Sequence, residues 1–412
     1  MYTRRMHLMR HPMFLTTLCL TFVVQMCFGL PGKANLEKDA FMGPMELIEK
    51  WGYPAEEHFV VTEDGYVLSL CRILHGRGFH SYERFPGPPL LLVHGIISSA
   101  ADWVINMPHQ SLGFVLADAG YDVWMINTRG SPYSDQHEYL NRRSREYLTF
   151  SFDDIGRYDL AASIDFILRA TGTQQVSLVA WSQGFTECLV LLSDRPEYNL
   201  KVSILVGLAP VANITHIATP LTLLGPFAPY MKVAIDIVTK GSLLRSNLVT
   251  RALINYFCNS VIRGFCFFPT QISVGASHYQ LNKTRIPVYT AHMPAGTTTK
   301  NLVHYAQMYR KKNFVKFDYG SEENMVVYGQ PEPPEYDLSR IMAPIALFSG
   351  PGDRLADLQD IEDLKHHLGS LVYDYLVPQE DFAHLDFVLG IHAQEILFEP
   401  VLAVLGQFQL RR

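Results

Sequence analysis

A serine hydroxyl is a poor nucleophile until a base takes its proton, so a serine held where a base can reach it is the first thing to look for. Ser182 stands in Ala180-Trp181-Ser182-Gln183-Gly184, directly between a strand-like run, Val176-Ser-Leu-Val-Ala180, and a helical pattern that begins near Gly184. A tight strand–turn–helix presents such a side chain, and small residues flanking the serine allow the sharp bend. The acid and then the base are expected further along the chain. Asp353 lies in Ser349-Gly-Pro-Gly-Asp353, just past the apolar run Ile345-Ala-Leu-Phe-Ser349, and His384 lies in Asp381-Phe-Ala-His384, after the next run. A carboxylate fixes the tautomer of an imidazole, which can then deprotonate the serine. Asp357, one turn beyond Asp353, is the competing acid.

Acyl chemistry also needs donors for the oxyanion that forms on the attacked carbonyl. The backbone N–H of Gln183 follows the nucleophile and suits one donor; the second is expected from a loop after an early strand. His94-Gly95-Ile96-Ile97 follows Leu90-Leu-Leu-Val93, which nominates the N–H of Ile96, with His94 read as structural. The bland alternative is a tight turn in which Gly95 relieves crowding. The chain has no His-Glu-x-x-His run, CxxC pair or glycine-rich phosphate loop, so neither a metal nor another cofactor is expected.

The elements that must hold these residues alternate. Two β-like runs flank Glu63-Asp64-Gly65, predicting an antiparallel hairpin. Apolar runs at 90–93, 122–126, 176–180, 202–208, 345–349 and 371–377 are separated by helical patterns, one of them spanning 151–171 and ending at Gly172. Continuous apolar strands between helices imply a parallel sheet covered on both faces. The rhythm lapses between about Pro210 and Glu335, where the pattern is mostly helical, apolar and rich in Pro, Phe and Tyr. An insertion that long is read as a cap over the site, leaving 30–209 and 336–412 as the core. Within it, the strongly apolar run 219–231 either shields the site and meets an oil surface or packs the cap onto the core.

Of the 412 residues, 48% are hydrophobic and 18% charged, which excludes a disordered chain and supplies a large core. No basic run with interleaved aromatics suggests a nucleic-acid partner. Residues 1–29 have the layout of a secretory signal: Arg4, Arg5 and Arg10, an apolar run at 13–26, and small residues Cys27 and Gly29. Its removal takes three arginines and no acids, moving the net charge from −6 to −9, and no later segment reads as membrane-spanning. Export makes a disulfide possible: Cys258 and Cys266 are close enough to staple a short loop, while Cys71 and Cys188 read as buried free thiols. Asn213-Ile-Thr and Asn282-Lys-Thr are glycosylation sequons.

Beyond these readings, the chain resembles the animal acid lipase family, which includes gastric and lysosomal lipases. The matching segments run in order through nearly everything after about Met42. They include Trp51-Gly-Tyr-Pro54, His94-Gly95, Leu116-Ala-Asp-Ala-Gly-Tyr-Asp-Val-Trp124, Asn127-Thr-Arg-Gly130, Ser182-Gln-Gly184, Pro294-Ala-Gly-Thr297 and His384-Leu-Asp-Phe387. The resemblance implies an α/β-hydrolase fold with a cap and movable lid, acting without a cofactor on triacylglycerols or cholesteryl esters at an oil or membrane interface. It implies the nucleophile at Ser182, the acid at Asp353, the base at His384, oxyanion donors at Gln183 and Ile96, and a cap disulfide between Cys258 and Cys266. Two departures stand out: Ala180-Trp181 where the family usually has Gly-His, and Ile96-Ile97 where leucines are typical. The expectation is a secreted esterase, with a lysosomal destination, a steryl esterase or a non-catalytic lipid carrier on the same fold as alternatives.

Overall fold

In the computed structural model, β1 (Ala55–Val61) and β2 (Tyr66–Ile73) form the expected hairpin, antiparallel with Val61 opposite Val67. Gly65 closes the turn at φ +92°, a left-handed conformation that glycine adopts without a Cβ penalty. The structure describes residues 37–78, 86–217, 219, 241–244, 251–252, 258, 266, 274–277 and 279–409. The expected leader at 1–29 and, Thr219 apart, the apolar run at 219–231 lie outside the described residues.

The remaining strands are β3 (Pro89–Val93), β4 (Asp122–Ile126), β5 (Gln136–His137), β6 (Val176–Trp181), β7 (Val202–Leu208), β8 (Ser242–Leu243), β9 (Thr297–Thr298), β10 (Ile345–Ser349) and β11 (Leu371–Leu376). Nine of the eleven make one sheet in the order β1-β2-β4-β3-β6-β7-β10-β11, with β5 added to β2. From β4 to β11 every pairing is parallel. Every residue of β3, β4, β6 and β10 is buried, so both faces of the sheet are covered, and that is why these strands are mostly apolar rather than alternating. The helices Leu112–Asp118, Ala161–Thr171, Gln183–Asp194 and Glu399–Gln409 pack against it.

The helix expected at 151–171 forms with one difference. The α-helical turns Phe152–Asp154 and Ala161–Thr171 are joined by a wider π-helical segment, Ile155–Leu160. Ser151 donates its N–H to Asp154 at 2.8 Å, and Gly172 ends the run at φ +68°. The widened segment carries Asp159, which grips Arg129 just beyond β4.

Between β7 and β10 the described elements include helices Ile286–His292, Thr299–Lys311 and Ser321–Tyr328, a β8–β9 ribbon, and a disulfide joining Cys258 to Cys266. Strand order also sets a topological switch point. The chain passes from β3 to β4 on one side of the sheet and returns to β6 on the other, so the loops after β3 and β6 lie side by side at the carboxyl edge, Val93 being paired with Ala180. That switch point is where α/β sheets hold their ligands.

Candidate active site

Ser182 is the hinge between β6 and the helix Gln183–Asp194. Its backbone sits at φ +56°, ψ −122°, a strained conformation for a residue with a side chain, and such strain persists only where neighbours over-determine it. Here they do: its N–H donates to Leu208 O at 3.0 Å, extending the sheet, while its carbonyl accepts from Phe185 at 3.0 Å, starting the helix.

Two distant loops meet this hydroxyl. His384 Nε2 lies 2.8 Å from Ser182 Oγ, and His384 Nδ1 lies 2.8 Å from Asp353 Oδ2 and 3.1 Å from Oδ1. Because Nδ1 faces a carboxylate, it carries the proton as donor, which leaves Nε2 as acceptor toward the hydroxyl. All three side chains are buried. Asp353 is itself oriented by N–H donors from Leu355 at 2.8 Å and Ala356 at 2.9 Å. The competing acid is occupied elsewhere: Asp357 accepts from Gln359 N–H at 2.8 Å and caps the helix Leu358–His367.

The nominated donors occupy the adjoining turns. Gln183 is the first residue of the helix after Ser182, where backbone N–H groups have no intrahelical acceptor. Ile96 lies half-buried in the turn after β3, next to Ile97 at φ +55°. His94 braces that turn: Nδ1 donates to Gly95 O at 2.8 Å and Nε2 accepts from Thr128 N–H at 3.2 Å, while burial pushes its pKa down to about 4, so it is neutral.

Sequence reasoning missed three supports of this arrangement. Asn301 donates to the Gln183 side chain at 2.8 Å, and Gln183 in turn donates to Glu187 at 2.8 Å. Ala295 donates its N–H to Ile97 O at 2.6 Å. Asp386 accepts from the N–H of Ser277 at 3.0 Å and of Ala383 at 2.8 Å, tying the His384 loop to the segment 275–277, and burial pushes its carboxyl up to about 7. The signal for Asp386 was present in His384-Leu-Asp-Phe387; for the long-range pairs no local signal exists.

Among the described residues, one group has metal-ligand atoms within 4.8 Å of one another: His216, Asp360 and Asp363. Asp360 already accepts from Thr215 N–H at 3.1 Å, His216 N–H at 2.9 Å and His216 Nδ1 at 2.8 Å, which accounts for its burial without an ion. Cys71 and Cys188 are free and buried, and burial pushes the Cys71 thiol up to about 12, far from thiolate chemistry. In the two sequons, Asn213 and Asn282 are half-buried, and Asn282 Oδ1 accepts from the Thr284 hydroxyl at 2.7 Å.

Comparison with known proteins identifies the family and the fold. Residues 44–107 match the model of a partial alpha/beta-hydrolase lipase region, and 88–389 match that of the alpha/beta hydrolase fold. Human lysosomal acid lipase/cholesteryl ester hydrolase is 36% identical over 394 residues, covering 95% of this chain and 98% of that protein. Gastric triacylglycerol lipase of Bos taurus is 34% identical over 403 residues, with 95% and 98% covered. Among solved structures, a soluble variant of monoglyceride lipase from Saccharomyces cerevisiae, in complex with a substrate analog, shares the fold at TM-score 0.51 and 13% identity, covering 86% of this chain and 95% of that one. The chain belongs to the acid lipase family of α/β-hydrolases and is a carboxylic ester hydrolase.

Proposed function

We propose that this enzyme is a lipase that cleaves carboxylic esters of triacylglycerol type by way of an acyl-enzyme on Ser182. The observation that carries the reading is the unbroken line of hydrogen bonds from Asp353 through His384 to Ser182 Oγ. In the first step His384 Nε2 takes the hydroxyl proton as Oγ bonds to the ester carbonyl carbon, and the carbonyl electron pair moves onto its oxygen. The backbone N–H groups of Gln183 and Ile96 receive that oxyanion, an interaction commonly worth about 3–4 kcal/mol of barrier per donor. When the tetrahedral intermediate collapses, the C–O bond to the alcohol breaks and His384 returns the proton to the leaving oxygen. Water, deprotonated by the same imidazole, then attacks the acyl-enzyme and frees the fatty acid. Asp353 keeps Nε2 as the acceptor and stabilises the imidazolium of each step.

Lipid rather than small esters are favoured by the names of the matched relatives, a triacylglycerol lipase and an acid lipase/cholesteryl ester hydrolase. A cap at 210–335 covers a core of 30–209 and 336–412 in this reading. It is supported by the bonds from Ala295, Asn301 and Ser277 to the oxyanion turns and the base loop. In the same reading the chain is exported with loss of residues 1–29, carries glycans on Asn213 and Asn282, and has an extracellular destination, a lysosomal one sharing the same signal. Among the described residues no helix is long and apolar enough to cross a membrane.

Labelling with a fluorophosphonate probe tests the chemistry. The wild-type protein is expected to be labelled and Ser182→Ala not; a Ser182→Ala variant that keeps its function would indicate a lipid carrier instead. Rates on triacylglycerol, steryl ester and short-chain ester emulsions rank the substrate classes, and a preference for steryl esters would revise the proposed one.

A further inference from the structure

Trp181 stands one residue before Ser182, and its indole is buried against two pieces of the site at once. On one side its Nε1–H donates to the backbone carbonyl of His384 at 3.1 Å, and its ring lies 5.4 Å from the imidazole, centroid to centroid, tilted by 39°. On the other side it presses on the turn that leads to Ile96: a Cβ on Gly95 would fall 3.0 Å from Trp181 Cε3 and 3.1 Å from Cζ3. A side chain at position 95 would crowd both the indole and Ser182 Cβ, 3.1 Å away, so the turn and the elbow are packed in contact there.

The loop carrying His384 is irregular between β11 and the short helix Asp386–Leu389, so no ladder of strand bonds sets its height above Ser182. The few backbone bonds that do include Gly352 N–H to Phe382 O at 2.9 Å and Leu385 N–H to Gly275 O at 3.2 Å. The indole bond acts on His384 itself. During turnover the imidazole must shift between the serine oxygen, the leaving oxygen and water, and a pinned carbonyl confines that shift to side-chain rotation.

We infer that Trp181 is a positioning residue that holds the His384 backbone and the Ile96 turn at one fixed spacing, so that base and oxyanion donors stay in register across the reacting carbonyl. The inference rests on the proposed roles of His384 and Ile96. An indole reaches further than an imidazole and offers its N–H at the far end, which is what bridging to a neighbouring loop requires.

Trp181→Phe tests it in the full-length enzyme on a soluble p-nitrophenyl ester, because it keeps the aromatic bulk and deletes the N–H. The expected result is a kcat about tenfold lower with KM within about twofold, since a misplaced base slows chemistry without weakening binding. The acid limb of the kcat/KM profile should move to lower pH, because an imidazolium less well seated on Asp353 is less stabilised. Unchanged kcat and an unchanged profile would overturn the inference. Where Trp181→Phe does not fold, Trp181→His is the second variant: its shorter ring cannot carry an N–H to the His384 carbonyl, so a kcat loss of about fivefold or more with the acid limb displaced supports the role, whereas a smaller loss or an unmoved limb overturns it. Ser182→Ala run alongside separates the two readings: if it stays active, the proposed mechanism fails; if it is dead and Trp181→Phe is normal, only the role of Trp181 fails.

Discussion

Gly184 lies directly against the backbone carbonyls of Val93 and His94: a Cβ added to it would stand 2.6 Å from the first oxygen and 2.7 Å from the second. The helix that follows Ser182 can approach β3 this closely only because residue 184 has no side chain. Gly184→Ala is thus set between two effects. Alanine's helix propensity favours it by about 1 kcal/mol. Pushing a methyl into backbone oxygens that cannot rotate away costs about 1–3 kcal/mol and displaces the elbow. The clash is expected to win, and urea unfolding should show a net loss together with reduced turnover; a stabilised, fully active variant would contradict the packing described.

Asp353 and Asp357 share a loop but face different partners, His384 and the N–H of Gln359. Asp353→Asn replaces the acceptor facing His384 Nδ1 with a group that can impose the wrong tautomer, and kcat is expected to fall on the order of a thousandfold or more. Asp357→Ala loses only a helix cap, costing about 1 kcal/mol of stability, with kcat kept within about twofold. Steady-state kinetics on the two variants decides the assignment, and equal losses would undo it.

Arg129 is buried with its charge shared between Asp159, at 2.7 Å from Nε, and Asp64, at 2.6 Å from a terminal nitrogen, and it lies over the Tyr66 ring at 3.9 Å. Arg129→Met would leave the buried Asp159 without its counter-charge, so about 3–5 kcal/mol of stability should be lost in denaturant unfolding. Arg129→Lys is expected to recover less than half, since an ammonium cannot span both carboxylates as the guanidinium fork does.

The dependence of stability on pH follows from groups buried on either side of neutrality. Burial raises Asp102 and Asp386 to about 7 and Asp159 to about 6, and lifts Glu187 well above the usual carboxyl range. Folded values above unfolded ones mean a contribution fully present below about pH 4 and lost as pH rises through 6–7. Burial lowers His94 and His292 to about 4 and His304 to about 3, so their contribution is present above about pH 6.5 and lost as pH falls toward 4. Between about pH 4 and 6.5 the two sets oppose each other. Above 6.5 the histidines are neutral in both states and only the carboxyls act, so stability should fall by about 1.4 kcal/mol per pH unit for each proton lost. Urea midpoints at pH 6.5, 7 and 8 test this; a midpoint that climbs over that range would refute it.

Much of the fold was legible because of where its strands lie. A strand covered on both faces is apolar at most positions, so β4, β7 and β10 could be read as short apolar runs, with bounds at 122–126, 202–208 and 345–349. The hairpin was legible in Glu63-Asp64-Gly65, where a positive φ calls for glycine. The π-helical segment Ile155–Leu160 was not, since its apolar spacing reads as an ordinary amphipathic helix.

By itself the sequence determined the reaction class under consideration, the chain order of Ser182, Asp353 and His384, and the kinds of element that carry them. These are local properties, encoded in turn chemistry and hydrophobic period. Tertiary structure alone decided which aspartate turns toward His384, that Gln183 meets Asn301 across 118 residues, and that Trp181 reaches the carbonyl of His384 across 203. The direction of a side-chain hydrogen bond depends on how separate loops are set against one sheet edge, and no periodicity within any one loop records that placement.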